Sequence, residues 1–219
     1  MSQRKSLPAL ALALLAALGI AACGGSRHTR PASTPTVKLV TPGATHPTVP
    51  RAAAVAEVQG TPIPKTLYRH WLAIDAARGG SSSGARHKAL RFVITASWIL
   101  GGARERHITV TSGEVRKRLA NLEKKQFPKL EQLQSYLSSS RQTAADLEAR
   151  VKLELLQGRI AEEATAKLTT AAAREAALAR LQSDFDAHWT ALTSCAPRYV
   201  VKGCKQYSSA ASQAGAVSN

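Results

Sequence analysis

The sequence predicts an all-α domain of about six helices, with a short strand at residues 55–58 and another at residues 199–201. Three observations favour this class. Apolar residues recur at spacings of three and four over most of residues 64–192, as on one face of an α-helix. Two Thr-x-x-acid patterns mark helix starts, and runs of Gly or Ser separate the periodic segments. We expect the two strands to pair as a small two-stranded antiparallel ribbon.

The first part of the domain combines a strand with an amphipathic helix. Residues 55–58 alternate apolar and polar side chains before Gly60, which indicates a strand and a turn. Pro64 suits the first turn of a helix that runs to about residue 78, where the Gly and Ser residues at 79–84 end it. The apolar face of this helix carries Leu67, Tyr68, Trp71, Leu72 and Ile74.

The second helix is predicted at residues 86–107. It is apolar nearly all round over residues 92–103, so we expect it to be the most buried element. That run is about half of the ~20 residues that a membrane span needs. Gly101 and Gly102 lie inside it and either allow a neighbouring helix to pack closely or weaken this helix. The sequence leaves both alternatives open.

Four further helices are predicted downstream. Thr111 and Glu114 have the spacing of a capping box, and Thr143 with Asp146 repeats the pattern. Pro128 opens a helix between them, with leucines at helical spacing. A final helix is expected to bury one apolar stripe, which consists of Leu178, Leu181, Phe185, Trp189 and Leu192.

The N-terminus has the organisation of an exported protein. Residues 1–22 combine the charged Arg4 and Lys5, a short apolar stretch and small residues before Cys23, as in a signal peptide. The ending Ile-Ala-Ala-Cys resembles the lipobox of bacterial lipoproteins. This resemblance implies that Cys23 carries a diacylglyceryl group, which anchors the chain to the cell membrane outside the cytoplasm. The alternative is an ordinary secretory signal with an incidental Cys23.

Composition divides the remaining chain into three parts. Residues 23–51 are rich in Pro, Ser and Thr with few large apolar side chains, which predicts a flexible linker. Residues 52–207 form the predicted domain. Residues 208–219 contain mostly Ser, Ala and Gly and predict a disordered tail.

Cys195 and Cys204 are predicted to form a disulfide, because cysteines pair in an oxidising compartment. The alternative, a zinc site, needs four ligands, and no His or second Cys pair stands at a metal-binding spacing nearby. We expect neither a metal nor a cofactor.

The chain is strongly basic, with 30 Lys and Arg against 14 Asp and Glu. Such a charge favours anionic partners. For an exported, lipid-anchored chain we expect lipid headgroups, wall polymers or acidic polypeptide segments rather than nucleic acid. The densest basic stretch is either a solvated helix face or a contact for an anionic surface, and it comprises Arg116, Lys117, Arg118, Lys124, Lys125 and Lys129.

Several segments resemble, in the same order, the SurA/PrsA foldases. Residues 55–64, Val-Ala-Glu-Val-Gln-Gly-Thr-Pro-Ile-Pro, look like the start of these proteins. Residues 97–111 look like the buried helix of the family, and residues 143–156 like the end of the SurA-type N-terminal domain. The closing segment of lipoprotein members is similar to this chain at Phe185, Trp189, Thr193, Cys195, Tyr199 and Cys204.

The resemblance implies a SurA-N-like helical bundle whose apolar groove holds unfolded chains. For Trp71 a place in the core is the alternative to a place in the groove. The groove residues expected on this basis are Tyr68, Trp71, Leu130, Leu133 and Tyr136.

The chain departs from the complete foldases, in which a parvulin-type prolyl isomerase domain lies between the long helix and the closing helix. Here only residues 166–173 separate these helices, whereas a domain needs at least about 50 residues. We therefore expect no isomerase activity. The histidines, among them His70 and His188, have no identifiable nucleophile or carboxylate partner, so no catalytic residue is predicted.

Together these features predict an extracytoplasmic, lipid-anchored, foldase-like chaperone domain that binds unfolded or exported polypeptides. One alternative is a structural envelope lipoprotein that binds anionic wall polymer or lipid. A second is a peptidyl-prolyl cis-trans isomerase with an unrecognised site.

Overall fold

The computed structural model describes residues 38–43, 51–79 and 81–207, all within the unit Thr36–Asn219. These residues form six α-helices and three short strands, which confirms the predicted all-α class. Cys23, the signal peptide and the tail at residues 208–219 lie outside the described residues. In chain order the elements are β1 (Ala54–Val58), β2 (Thr61–Pro64), α1 (Lys65–Ala77), α2 (Ser82–Glu105), α3 (Ser112–Gln126), α4 (Leu130–Ser139), α5 (Ala144–Thr165), α6 (Ala171–Ala191) and β3 (Thr193–Cys195).

The strands form one antiparallel sheet in the order β2–β1–β3. β1 is the central strand, and its Val58 lies opposite Thr61 of β2 on one side and Thr193 of β3 on the other. Val55 and Val58 of β1 are fully buried. The sheet therefore belongs to the core, and it joins the start of the domain to its end.

The predicted partner strand at residues 199–201 is wrong. β1 pairs instead with β3, a few residues earlier. Pro197 has no amide hydrogen to donate to a sheet, and the chain turns there into a 3₁₀ helix, Pro197–Tyr199. Val201 is buried against the helices and the sheet, so its apolar character reflects core packing rather than strand pairing.

Two apolar clusters make up the core. The first lies between the sheet, α1 and α2 and is closed by Trp189 of α6. The second lies mainly between α2 and α5. α2 contributes to both clusters, which agrees with its prediction as the most buried helix. The second cluster contains Ala96, Ile99, Leu100, Ala103, Leu153, Leu156 and Ile160.

α2 begins earlier than the predicted residue 86. The Ser81 side chain accepts a hydrogen bond from the amide of Gly84, so the helix starts at Ser82. Serine is a preferred N-cap residue because its hydroxyl satisfies one of the free amide groups of the first turn. The serine run therefore starts a helix, whereas the sequence analysis placed it in the loop.

Gly101 and Gly102 allow α6 to pack closely on α2. A Cβ atom at Gly101 would collide with the Trp189 ring, and one at Gly102 with the Phe185 ring. Trp189 is completely buried as a result. Of the two alternatives left open for this glycine pair, close helix packing is the one that the structure supports.

The structure contains the predicted Cys195–Cys204 disulfide. It joins the end of β3 to the segment after the 3₁₀ turn, and both cysteines are buried. Trp98 Nε1 donates a hydrogen bond to Thr193 Oγ1 over 2.8 Å, and this hydroxyl donates to the Trp189 carbonyl over 2.7 Å. The closing segment is thus held to α2 and α6 by buried polar contacts as well as by the disulfide.

Both predicted capping boxes are present, at Thr111 with Glu114 and at Thr143 with Asp146. They start α3 and α5, which pack against each other. Glu114 also pairs with Arg159 of α5. The first residues of α3 are therefore tied to the body of the domain by an ion pair.

α5 and α6 are joined directly by residues 166–170. The predicted apolar stripe of the final helix is buried except at its start. Trp189 is fully buried and Leu181, Phe185 and Leu192 pack against the two clusters, whereas Leu178 is 37 % exposed. Phe185 and Trp189, near the C-terminal end of α6, make its close contacts with α2. Leu178 belongs to neither apolar cluster.

Part of the predicted flexible linker packs on the domain. Leu39 contacts both apolar clusters and Val40 contacts the first, while Pro42 is fully buried. The linker prediction for residues 23–51 is therefore wrong at residues 38–43. Leu39 and Val40 supply the apolar surface that the linker as a whole lacks.

Candidate functional site

A partly exposed apolar surface runs along α4. Leu130, Leu133 and Leu137 have spacings of three and four and share one face of the helix. Leu130 is 64 % exposed, and no side chain of α4 is an apolar residue of the buried core. We call this face, together with Phe127 just before the helix, the arm surface. Its residues are Phe127, Leu130, Leu133, Tyr136 and Leu137.

Tyr136 holds α4 to the rest of the domain mainly through polar contacts. Its hydroxyl accepts hydrogen bonds from Arg78 Nη2 over 3.1 Å and from Gln142 Nε2 over 3.0 Å. Its ring packs against Phe127 with 5.1 Å between the centroids, and Ser140 Oγ donates to its carbonyl. These contacts position α4 while Leu130 stays exposed and Leu133 and Leu137 are only half-buried.

Tyr68 and Trp71 do not line a surface groove. They are 6 % and 1 % exposed, respectively, and both belong to the first apolar cluster. Tyr68 packs edge-on against Tyr199, and Trp71 lies 4.1 Å from Phe92 between ring centroids. The groove prediction is therefore wrong for these two residues, whose helical periodicity reflects core packing. The other three predicted groove residues lie together on the arm surface.

Arg150 of α5 covers the ring of Trp71. Its guanidinium carbon lies 4.6 Å from the centroid of the Trp71 ring and 4.7 Å from that of Phe92, distances that allow cation–π attraction. Burial and the nearby Arg78 charge lower the pKa of Arg150 to about 10, against the opposing effect of Asp75. Burial in turn raises the pKa of Asp75, which Arg150 partly offsets. Arg150 thus covers the first apolar cluster at Trp71 and Phe92.

His70 and Asp146 form a buried pair that the sequence analysis did not identify. His70 Nε2 lies 2.6 Å from Asp146 Oδ1. The other carboxylate oxygen accepts hydrogen bonds from the amide and hydroxyl of Thr143. The same aspartate thus caps α5 and joins it to α1. The pair is distant in sequence, and no local pattern predicts it.

This His–Asp pair does not by itself form a catalytic site. A nucleophile activated by histidine needs a hydroxyl or thiol within hydrogen-bond reach of the ring. Within the part of the chain that the structure describes, Asp146 is the hydrogen-bond partner of the His70 ring. The arrangement has the geometry of a structural contact between two helices.

The six residues of the predicted basic stretch fall into two groups, one paired residue and five exposed ones. Arg118 pairs with Glu154 of α5, so its charge is compensated and the prediction of a surface contact is not supported for this residue. The other five are exposed and make no ion pair within the described residues. They form a basic face on α3 and at the start of α4, with Arg116, Lys117, Lys124, Lys125 and Lys129.

The described residues offer neither a metal-binding cluster nor a membrane-spanning helix. No cluster of three or more His, Cys, Asp or Glu side chains there could hold a metal ion. None of the described helices is long and apolar enough to span a membrane.

No protein-family model, curated protein or solved structure matches this chain significantly. The resemblance to the SurA/PrsA foldases therefore rests on the residues quoted above. The geometry of the arm surface and of the basic face has to support any functional assignment.

Proposed function

We propose that this protein is an extracytoplasmic, lipid-anchored chaperone domain that binds unfolded or exported polypeptides through the arm surface. The observation that carries the proposal is the leucine face of α4, which places no side chain in either apolar cluster and leaves Leu130 64 % exposed. An amphipathic helix normally buries its apolar face against another element. Here the described residues supply no such element for Leu130.

The expected binding is weak for each contact and tolerant of sequence. Burying one leucine side chain completely contributes about 1.5 to 3 kcal/mol, and part of this is lost to the entropy cost of association. Leu130, Leu133 and Leu137 together therefore support transient binding of exposed apolar segments. Such contacts carry little sequence information, as a chaperone with many clients requires.

The charge of the chain supports the same assignment. A formal net charge of +16 speeds encounter with acidic chains and does not require fixed pairing. The basic face begins on α3 and reaches Lys129, the residue directly before α4. Apolar and basic contact residues are thus adjacent in sequence at the start of the arm surface.

The proposal assigns no prolyl isomerase activity to the chain. The short connection at residues 166–170 takes the place of a domain that would need at least about 50 residues. Isomerisation of client prolines would then require a separate protein.

An aggregation assay tests the proposal. The full chain with Cys23→Ser, which cannot be lipidated, is mixed with a chemically unfolded protein that aggregates on dilution, at low and at moderate salt. We expect suppression of light scattering at both salt concentrations, because apolar contacts are not screened by ions. The absence of suppression at either concentration would contradict the proposal.

A second candidate function is binding to anionic wall polymer or lipid, which the five uncompensated residues of the basic face favour. It predicts binding that weakens steeply with salt. Lys117 and Lys124 are two helical turns apart on the same face of α3, so the variant Lys117→Ala with Lys124→Ala should weaken this binding. Lys152→Ala, at an exposed residue of α5, is the control. Binding to anionic vesicles that is equal for both variants would rule out this function for the basic face.

A further inference from the structure

Residues 38–43 occupy a cleft of the domain in the manner of a bound peptide. This segment, Lys-Leu-Val-Thr-Pro-Gly, has no helical or strand structure and pairs with no strand of the sheet. It lies beside the β1–β2 turn and the C-terminal turn of α2, where it contacts Thr61 and Arg104. We call it the tethered segment.

One peptide unit of the tethered segment is held on both of its polar sides. The Pro42 carbonyl accepts a hydrogen bond from Arg104 Nη1 over 2.8 Å. The Gly43 amide donates one to Thr61 Oγ1 over 2.9 Å. Both groups belong to the backbone, so the same two contacts are available to a polypeptide of a different sequence that has glycine at the second position.

The side chains of the tethered segment bind through apolar contact. Leu39 touches both clusters of the core, Val40 touches the first, and Pro42 is fully buried. Backbone hydrogen bonds combined with pockets for a few apolar side chains are the general means by which proteins bind extended peptides. The cleft therefore has the chemistry of a peptide-binding site, and the chain itself supplies the present occupant.

The cleft has room beyond its occupant. A cavity of about 400 Å³ lies next to Pro42, and Gly101 forms part of its wall. Arg104 lies across Gly43 so closely that a Cβ atom there would meet its guanidinium group. Gly43 also has a φ of +67°, which disfavours any residue with a side chain. This position of the cleft therefore favours glycine in a client, because a larger residue would be strained and would displace the Arg104 donor. The lining residues are Pro42, Gln59, Gly101, Arg104, Glu105 and His107.

We infer that this cleft is a second polypeptide-binding site, which takes an extended apolar segment of an unfolded chain in place of residues 38–43. The inference rests on the proposed chaperone function and names a site separate from the arm surface. A tethered occupant acts at an effective concentration in the millimolar range. The apparent affinity for clients is therefore the intrinsic affinity of the open cleft multiplied by the fraction of molecules in which the cleft is open.

Peptide binding by the full chain with Cys23→Ser tests the inference. The probe is a fluorescent peptide with the sequence of residues 38–43, and the variant carries Leu39→Ser and Val40→Ser, which change the occupant and leave the cleft intact. We expect the variant to bind the peptide at least about tenfold more tightly than its parent, because the competitor is weakened. A probe with the same two serine substitutions should bind neither chain.

Equal peptide affinity of variant and parent would overturn the inference. Loss of cooperative unfolding in the variant would also overturn it, since residues 38–43 would then be an integral part of the core. A second variant of the same parent, Thr41→Cys, gives a readout in a segment that keeps Leu39 and Val40. Saturating peptide should raise the rate at which a thiol reagent modifies this cysteine, and an unchanged rate contradicts displacement.

The two proposals fail separately. Aggregation suppression by the parent without a gain in peptide affinity would overturn the cleft and leave the arm surface as the client site. If the variant binds the peptide more tightly but neither parent nor variant suppresses aggregation, the cleft stands as a peptide-binding site and the proposed chaperone function is overturned.

Discussion

Two regions of the molecule differ in the exposure of their apolar residues: the body, which consists of the sheet, α1 and α2, and the arm helix α4. Both α1 and α4 carry apolar residues at helical spacing, but those of α1 are buried and Leu130 of α4 is exposed. Trp71 and Ile74 of α1 are 1 % and 0 % exposed, whereas Leu130 of α4 is 64 % exposed. Periodicity thus indicates an amphipathic helix in both regions. It does not tell whether the chain itself supplies the surface that covers the apolar face.

The two regions also differ in how they are held together. The body closes by apolar contact and by the disulfide, with Arg150 covering Trp71. The arm helix α4 is positioned by hydrogen bonds to the Tyr136 hydroxyl, and the preceding α3 by ion pairs with α5. Substitutions should therefore affect stability in the body and binding in the arm.

Trp189→Ala should have the largest effect on stability. The side chain is completely buried against Gly101, and its removal should lower the free energy of unfolding by about 3 to 5 kcal/mol, as for other buried aromatic residues. Leu178→Ala, in the exposed half of the same helix, should cost no more than about 1 kcal/mol. Urea unfolding of both variants measures the difference, and equal costs would contradict the described packing of α6.

Removal of the disulfide should have the next largest effect. The bond closes a loop with a sequence separation of 9, for which the chain-entropy model predicts a stabilisation of about 2.5 kcal/mol. Cys195→Ser with Cys204→Ser should lower the free energy of unfolding by that amount. Reduction of the parent protein should reproduce the loss. Unchanged stability of the double variant would show that the disulfide does not constrain the unfolded chain.

Glu114 should produce a smaller, pH-dependent effect at the start of α3. Hydrogen bonds from the amide and hydroxyl of Thr111, with the nearby Arg159, lower the pKa of Glu114 below its ordinary value of 4.5. The unfolded chain therefore takes up this proton first as the pH falls. The stabilisation is present above about pH 4.5 and is lost as the pH falls through the lower pKa of the folded state.

Glu114→Gln should accordingly flatten the decline in unfolding free energy below pH 4.5. Urea unfolding between pH 3 and pH 6 measures this slope. Glu162→Gln, at an exposed side chain of α5 without an ion pair in the described part of the chain, is the matched control. The same slope in Glu114→Gln and in the parent would contradict the contribution of the capping box and its ion pair.

Local patterns predicted much of the fold. The capping boxes at Thr111 and Thr143 gave the starts of α3 and α5, because both partners of a capping box lie within four residues. The pairing of β1 with β3 was missed, since strand pairing depends on contacts far apart in sequence. The packing of Leu39 and Val40 was missed for a similar reason, because a short apolar segment in a Pro-rich stretch has no periodicity to reveal it.

The candidate site was predicted in part. Leu130, Leu133 and Tyr136 do share the arm surface, which follows from helical spacing. Tyr68 and Trp71 are core residues, and their spacing looks the same in the sequence because both surfaces need apolar side chains. Which helix faces remain uncovered depends on the tertiary arrangement, and spacing alone does not contain that information.

The most direct test of the account compares stability and client binding in one variant of the arm surface. Leu130→Gln with Leu133→Gln in the full chain carrying Cys23→Ser should change the free energy of unfolding by no more than about 1 kcal/mol and abolish most of the aggregation suppression. Ser135→Gln, on the opposite face of α4, should leave both unchanged. Full suppression by the double leucine variant would contradict the assignment of the arm surface as the client-binding site.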